Sequence, residues 1–570
     1  MEATMQKRRI CFLTLVLMVA CSAISPAGTE DYRAAHVTTS TTMPLSSATY
    51  YVRPDGGDAT QCTGLVNAPY AGTGSGQPCA WDHLFRALPP GETARIQGGD
   101  TLIIGTGSYA MGYGAPGTDN CDPGGAFDCH MPPVPAGADA GHPTRILGEG
   151  WDSGCPNPPE LWGTERPWFI LNLSGSSHIE VSCLEITDHS ECVEFHTGGL
   201  ACERDNPPYG QWASYGIYAE DAADVTLRYL NIHGLAWGGV HAGRLTDWQV
   251  ENVRIAGNGG VGWDGDIGED SANAGRLYFR RFVVEWNGCG ETHPGGEPVG
   301  CWGQTAGGYG DGVGTGTTGG HWIFEECAFL HNTSDGLDLL YVRQPGSSIE
   351  IRRTRAEGNA GDQIKTSGPT LIENVIAVSN CGFFDQKPFT HHVDACRAGG
   401  SALAFSLFPG NRLSVVNATV TGQGDCLVLA ECAEGANCSG TEAVQLSNSI
   451  FLGNPEFNSE DTTCLAWAEG LPHDPFEMTN LIIAGVKGMP DPCPPHSLCN
   501  LDPGMVNTSI TSFNAHLLPV SPAIDAGTTD GAPAVDFDGY PRDAFPDIGA
   551  YELRVASAWV YLPVVLRQSP

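Results

Sequence analysis

Four short segments end in asparagine and run into the same kind of turn. This repetition constrains the chain more than any other feature. WQVENVRIAGN, LYFRRFVVEWN, HWIFEECAFLHN and IEIRRTRAEGN end at Asn258, Asn287, Asn332 and Asn359. Each is followed by a Gly- or Asp-rich turn and a second short run: GVGWDGDIG, GDGVGTGT, SDGLDLLYV and GDQIKTSGP. The pattern returns at TLIENVIAVSN and VQLSNSIFLGN, ending at Asn380 and Asn454. Alternation of apolar and polar residues predicts strands. Recurrence every roughly 20 to 45 residues predicts a solenoid. The shortest interval, Asn359 to Asn380, leaves room for one turn of three short strands and none for a helix with its loops.

Composition agrees with that reading. Among 570 residues there are 75 Gly and 40 Pro, spread throughout, so long helices are not expected. The formal charge of -37 argues against nucleic acid or an anionic membrane surface as a partner. It suits an exported protein, extracellular or at the cell surface, or one whose acidic groups hold calcium. An acidic chain that binds an acidic polymer needs a local cation.

Residues 1–27 read as an export signal: Lys7, Arg8 and Arg9, then the apolar run from Cys11 to Ala20, then small residues. Met18-Val19-Ala20-Cys21 resembles a bacterial lipobox, which implies a lipid anchor at Cys21 as an alternative to free secretion. Residues 28–49 read as a Ser/Thr-rich linker. Tyr561 to Leu566, in a tail of residues 554–570, is too short to span a bilayer, so no transmembrane segment is expected. Twenty-one cysteines in an exported chain imply disulfides. Cys121/Cys129, Cys192/Cys202, Cys289/Cys301 and Cys493/Cys499 fall in loop-like stretches and read as local staples for insertions. Leaving out Cys11 and Cys21, the count is odd, and Cys327, within a strand, is the expected buried free thiol.

The start of the folded part combines Tyr50-Tyr51-Val52-Arg53-Pro54-Asp55-Gly56 with Trp81 to Leu88 and Gly98-Gly99-Asp100-Thr101-Leu102-Ile103-Ile104. It resembles the capped opening of right-handed parallel β-helix proteins of the pectate-lyase-like superfamily. Ser521-Pro522-Ala523-Ile524-Asp525-Ala526-Gly527 through Asp547-Ile548-Gly549-Ala550-Tyr551-Glu552 resembles the closing segment of bacterial surface β-helix proteins. The resemblance implies an all-β, right-handed parallel β-helix with disulfide-stapled loop insertions. The expected divisions are a cap and first strands at 50–110, the β-helix with insertions at 111–454, and irregular C-terminal coils with the closing segment at 455–553.

In such a coil the recurring asparagines read as a structural ladder, each amide bonding to the next coil and tolerating a left-handed bend. Superposing the coils on them places Asp335 beside Asp362, and Asp338 beside Lys365. Asp311 falls in the first of these columns; Asp264 and Gly314 fall in the second. Rungs lie about 4.8 Å apart, so these groups share one patch. Like charges so close call for calcium, for pairing with Lys365, or for shared protons. The bland alternative is a solvated Asp338–Lys365 ion pair with Asp335 and Asp362 capping turns. Trp237, Trp263, Trp286, Trp302, Tyr309 and Tyr341 are aromatic candidates for packing against sugar rings. His391 and His392 lie in the 382–400 insertion, which could fold over the same face, and His241 lies in a Gly-rich turn.

Carried over residue by residue, the resemblance to calcium-dependent lyases implies that Asp311, Asp335, Asp338 and Asp362 hold Ca2+ against a substrate carboxylate. Lys365 would then be the base, with Asp338 beside it, and Trp263, Tyr341 and His391 would contact a polysaccharide or cell-surface glycan. The expected function is action on, or binding of, an acidic polysaccharide, most concretely as a calcium-dependent uronate lyase. A polygalacturonase-like hydrolase is an alternative. Asn332 to Asp338 looks like that family's Asn-Thr-Asp-Gly with one residue inserted, and Gln363-Ile364-Lys365-Thr366 like its Arg-Ile-Lys. Its paired adjacent aspartates and Gly-His-Gly are missing, however. The third alternative is a non-catalytic adhesin, glycan-binding or structural β-helix.

Overall fold

A computed structural model describes residues 47–554 except 195, 197–199, 268–271 and 304–308. They fall in one unit, Ser47–Pro570. The export signal, Cys21, the linker up to residue 46 and the run Tyr561 to Leu566 lie outside the described residues. The chain is tied in from Ala48, whose N–H donates to Asp100 Oδ1 at 2.7 Å, and the first strand is Thr49–Gly57.

The alternating segments form strands, and they stack in parallel. Each coil contributes three, which makes three faces. Thr246–Ala256 shows how one coil supplies two of them. Its first half pairs with Ala274–Arg280 and its second half with Val283–Glu285. The third face is a ten-stranded parallel sheet. In chain order its central members are Gly238–Gly243, Val261–Gly265, Val313–Thr315, Leu337–Leu339, Ile364–Ser367 and Leu403–Leu407. Three short 3-10 turns are the only helical elements among the described residues. The protein is a right-handed parallel β-helix.

Inward side chains stack between rungs. Phe279 lies flat on Phe324, centroids 4.7 Å apart, and Trp248, Trp263 and Trp322 fill the same core. A buried side chain of this size stabilises by about 1.5–3 kcal/mol, so the stack contributes a large share of the core. Along one corner, Asn258, Asn287, Asn332 and Asn359 form the expected ladder. Each Nδ2 donates to the next Oδ1 at 2.8–2.9 Å, and Gln363 Oε1 receives the last. The left-handed bend falls one residue earlier than expected, at Gly257, Trp286, His331 and Gly358. The ladder amides occupy ordinary backbone and spend their hydrogen bonds between coils. Glycines line the ladder because nothing larger fits. A Cβ on Gly312 would come within 2.8 Å of Asn332 Nδ2, and one on Gly336 within 2.5 Å of Asn359 Nδ2.

Nine disulfides form, including the four expected staples, and Cys327 is a buried free thiol. So many bridges suit an oxidising compartment outside the cytosol. Among the described residues no helix is long and apolar enough to cross a membrane. Parallel pairing continues beyond Asn454, where the sequence predicts irregular structure with one strand, Met478 to Ile483. Cys464–Glu469 extends the third face, and Phe476–Thr479 and Ile482–Ala484 extend the other two. Outward Trp467 on that third-face strand hides the alternation. Glu160–Gly163 likewise forms a strand, at the end of the Pro/Gly/Cys-rich stretch 111–165.

Candidate functional site

Register on the third face builds the site. Parallel pairing aligns His241 with Asp264, Asp264 with Gly314, Gly314 with Asp338, and Asp338 with Lys365. These residues alternate with inward Val313, Leu337 and Ile364, so their side chains stand on the outer surface. The superposition on asparagine therefore places the two columns as observed.

The second column lies just before each of these strands, and it is a ladder of its own. Asp311 Oδ1 accepts from the Asp335 N–H at 2.9 Å, Asp335 Oδ1 from Asp362 N–H at 2.7 Å, and Asp362 Oδ1 from Ser401 N–H at 2.8 Å. One oxygen of each carboxylate thus holds the coils in step, as the asparagines do at the neighbouring corner. Asp335 is only 1% exposed, and its other oxygen lies 3.1 Å from Lys365 Nζ and 3.6 Å from an Arg397 nitrogen. Lys365 Nζ also approaches Asp338 Oδ2 at 3.4 Å, while Asp338 Oδ1 accepts from the Leu340 N–H at 2.8 Å.

Asp311, Asp338, Lys365 and Arg397 line one groove of about 470 Å³ with Tyr309, Tyr341, Trp237, Asp264 and Asp266, while Asp335 and Asp362 are buried and do not line it. Tyr309 donates to the Gly259 carbonyl at 2.7 Å, which fixes its ring, and the Arg343 guanidinium sits over Tyr341. At Gly314 the column has no side chain, leaving a notch between Asp264 and Asp338. His241 Nδ1 pairs with Asp264 Oδ2 at 2.6 Å on the far side of that notch.

Burial, then the charges of Asp335 and Asp338, holds the Asp311 carboxyl well above its ordinary value. Burial and Asp335 do the same for Asp362. Burial also raises Asp338, although Lys365 opposes the shift. For Lys365 burial works against the charge, but Asp335, Asp338, Asp362 and Asp311 outweigh it and raise the amine further. The carboxylates around Lys365 thus favour its ammonium form.

Oxygen atoms of Asp311, Asp335 and Asp338 lie within 4.8 Å of one another, so these three could hold a metal ion. Asp362 stands outside that trio, its Oδ1 engaged by Ser401. The hard carboxylate oxygens of this cluster outnumber its two cations, Lys365 and Arg397, and such a set fits one divalent cation such as calcium.

Other expected contacts fall elsewhere. Trp263 is 1% exposed and packs in the core edge-on to Trp248 and Phe279, so it cannot touch a ligand. Asp264 faces out, and its neighbour must face in. His391 stacks on Trp302 at 4.6 Å, away from the groove lining. The insertion that carries His391 does reach the groove, but through Arg397, next to the Cys381–Cys396 bridge. Arg397 donates to Ser334 Oγ at 2.6 Å. It lies in no repeat, and its only sequence signal is the adjacent cysteine.

No family model and no curated protein matches the chain. Among solved structures, pectate lyase Pel9A superposes with a TM-score of 0.44 at 13% identity, covering 90% of this chain and 98% of that one. The A-module of the Azotobacter vinelandii mannuronan C-5 epimerase AlgE4 gives 0.36 at 12%, covering 70% and 89%. A rhamnogalacturonan lyase gives 0.32 at 13%, covering 85% and 97%. At such identities the likeness concerns the fold.

Proposed function

We propose that the third-face groove receives an acidic polysaccharide, and that the protein acts on it as a cation-dependent uronate lyase. The carrying observation is the convergence of Lys365, Arg397, Asp311 and Asp338 on the lining of one open groove, with the buried Asp335 against both cations. Asp311, Asp335 and Asp338 would hold calcium, which when bound supplies neutralisation of a sugar carboxylate and of the charge that develops beside it. Arg397 orients the same carboxylate, and Tyr341 and Tyr309 flank the sugar ring.

In β-elimination a base takes the proton on the carbon next to the carboxylate, that electron pair forms the new double bond, and the bond to the leaving oxygen breaks. The leaving oxygen then takes up a proton. Lys365 is the amine placed to accept the first proton, once the field of the four carboxylates around it has been offset. Activity is therefore tied to the cation through the protonation of Lys365 as well as through the substrate.

The test is a panel of uronate polymers, with calcium or with a chelator, read by the ultraviolet absorbance of the unsaturated product. Calcium-dependent product, lost in Lys365→Ala, is the expected outcome. No product on a broad panel, with wild type and K365A indistinguishable, would end the lyase reading. A second reading, a glycan-binding β-helix without catalysis, is favoured by the engagement of the Lys365 amine with Asp335 and Asp338. Uronate binding that survives with no turnover would select it.

A further inference from the structure

The groove does not stop at Lys365. Parallel register carries its column on to Ala404, then Leu429, then Trp467, three rungs further along the same face. At about 4.8 Å per rung that is about 14 Å, a span that a polymer bridges and a single sugar does not. There a second cavity of about 930 Å³ opens, lined by Leu429 and Trp467. Trp467 is 58% exposed, an unusual state for an indole that could pack inward. The insertion tip lies between the cavities, with Arg397 lining the first and Ala398 and Gly399 the second.

Both cavities are acidic, but only the first carries two cations and a carboxylate trio. Asp425, Glu456, Asp461, Glu469 and Asp474 line the second against Lys487 alone, so 5 minus 1 leaves -4. Lys487 is itself taken by Asp461 at 2.5 Å. Among the described residues no carboxylate trio there is close enough to hold a metal ion, as one is at Asp311, Asp335 and Asp338. A uronate would meet repulsion. Uncharged sugars would find what they bind best, an aromatic face and carboxylates that accept from hydroxyls.

We propose that the second cavity binds neutral sugar residues of the polysaccharide whose uronate sits at Lys365. The substrate is then a mixed polymer of uronate and neutral sugars, not a homouronate. This rests on the uronate reading of the first groove for the identity of the whole substrate, but the neutral site stands on Trp467 and its surroundings.

The full chain is titrated with an array of homouronate, neutral and mixed oligosaccharides, using wild type, Trp467→Ala, Trp467→Phe and Lys365→Ala. Trp467 is exposed, so its replacement leaves the core intact. Expected is tightest binding of a mixed oligosaccharide, about tenfold weaker in W467A, largely restored in W467F, and weakened separately by K365A. Loss in K365A alone, with W467A like wild type, would overturn the neutral site and leave the uronate reading standing. Loss in W467A alone would keep the neutral site and remove the uronate from Lys365. Homouronates bound as tightly as any mixed oligosaccharide, through Trp467, would overturn the proposal, and so would no binding at all across the array.

Discussion

Asn332→Ala tests whether the asparagine ladder sets the register on which the site depends. The Asn332 side chain accepts from the Asn287 N–H at 3.1 Å and from Asn287 Nδ2 at 2.9 Å. It donates to Asn359 Oδ1 at 2.8 Å and to the Val284 carbonyl at 3.2 Å. All four bonds vanish in alanine. Asn287 Nδ2 keeps the Glu285 carbonyl at 3.2 Å, and Asn359 Oδ1 keeps the Asn332 N–H at 2.9 Å. The Asn287 N–H is left buried without an acceptor. That group costs about 1–3 kcal/mol and the three other bonds about 0.5–1.5 kcal/mol each, for a total of about 3–7 kcal/mol. Urea unfolding followed by the fluorescence of the core tryptophans measures the total, and hydrogen exchange across residues 281–290 locates it. Asn67→Ala, which removes one exposed bond to Arg53, is the control and should cost less than about 0.5 kcal/mol. If N332A unfolds within about 1 kcal/mol of wild type, with exchange unchanged, the ladder does not hold the coils in step and the reasoning fails.

Three further outcomes follow from the same geometry. Lys365→Met removes one cation from beside the carboxylate trio and should tighten calcium binding, while Asp335→Asn should weaken it at least about tenfold, both by calorimetry. Burial disfavours a charged His233, but Glu185 and Glu291, bonded to its two nitrogens, raise it to about 9. A raised histidine gives stability that is complete below its unfolded value near 6.5 and is lost as pH rises through about 9. The 288–303 loop bearing Glu291 should therefore gain exchange between those limits, and His233→Gln should flatten the profile. Burial pushes the Cys327 thiol up to about 12, so it should resist a thiol reagent in the native protein and react only on unfolding.

Much of the site was legible because register in a parallel coil is a matter of counting. Once Asn332 and Asn359 are superposed, Asp338 must meet Lys365. The same alternation that turns Asp264 outward turns Trp263 inward, so the core position of Trp263 was readable from its neighbour. Arg397 was not legible, since an insertion has no repeat to count from and its path is set by packing. Phe383, Phe384 and Phe389 all meet the Trp286 ring and anchor that insertion. The protonation of Lys365 also escaped a reading that paired it with one aspartate at a time. Four carboxylates act on it together.

Three stapled excursions leave the coil at the same corner, between the second and third faces. They run from Asp188 to Tyr215, from Glu285 to Val313 and from Ser379 to Leu403, closed by Cys192–Cys202, Cys289–Cys301 and Cys381–Cys396. Each bridge is closed within its own excursion, so the stretch between its cysteines can change in length and sequence while ladder residues such as Asn287 and Asp311 stay on the rungs. The scaffold and the mouth of the groove are thus inherited separately. Exchanging one stapled excursion for another is a route by which this architecture acquires a new ligand while its spine stays as it is.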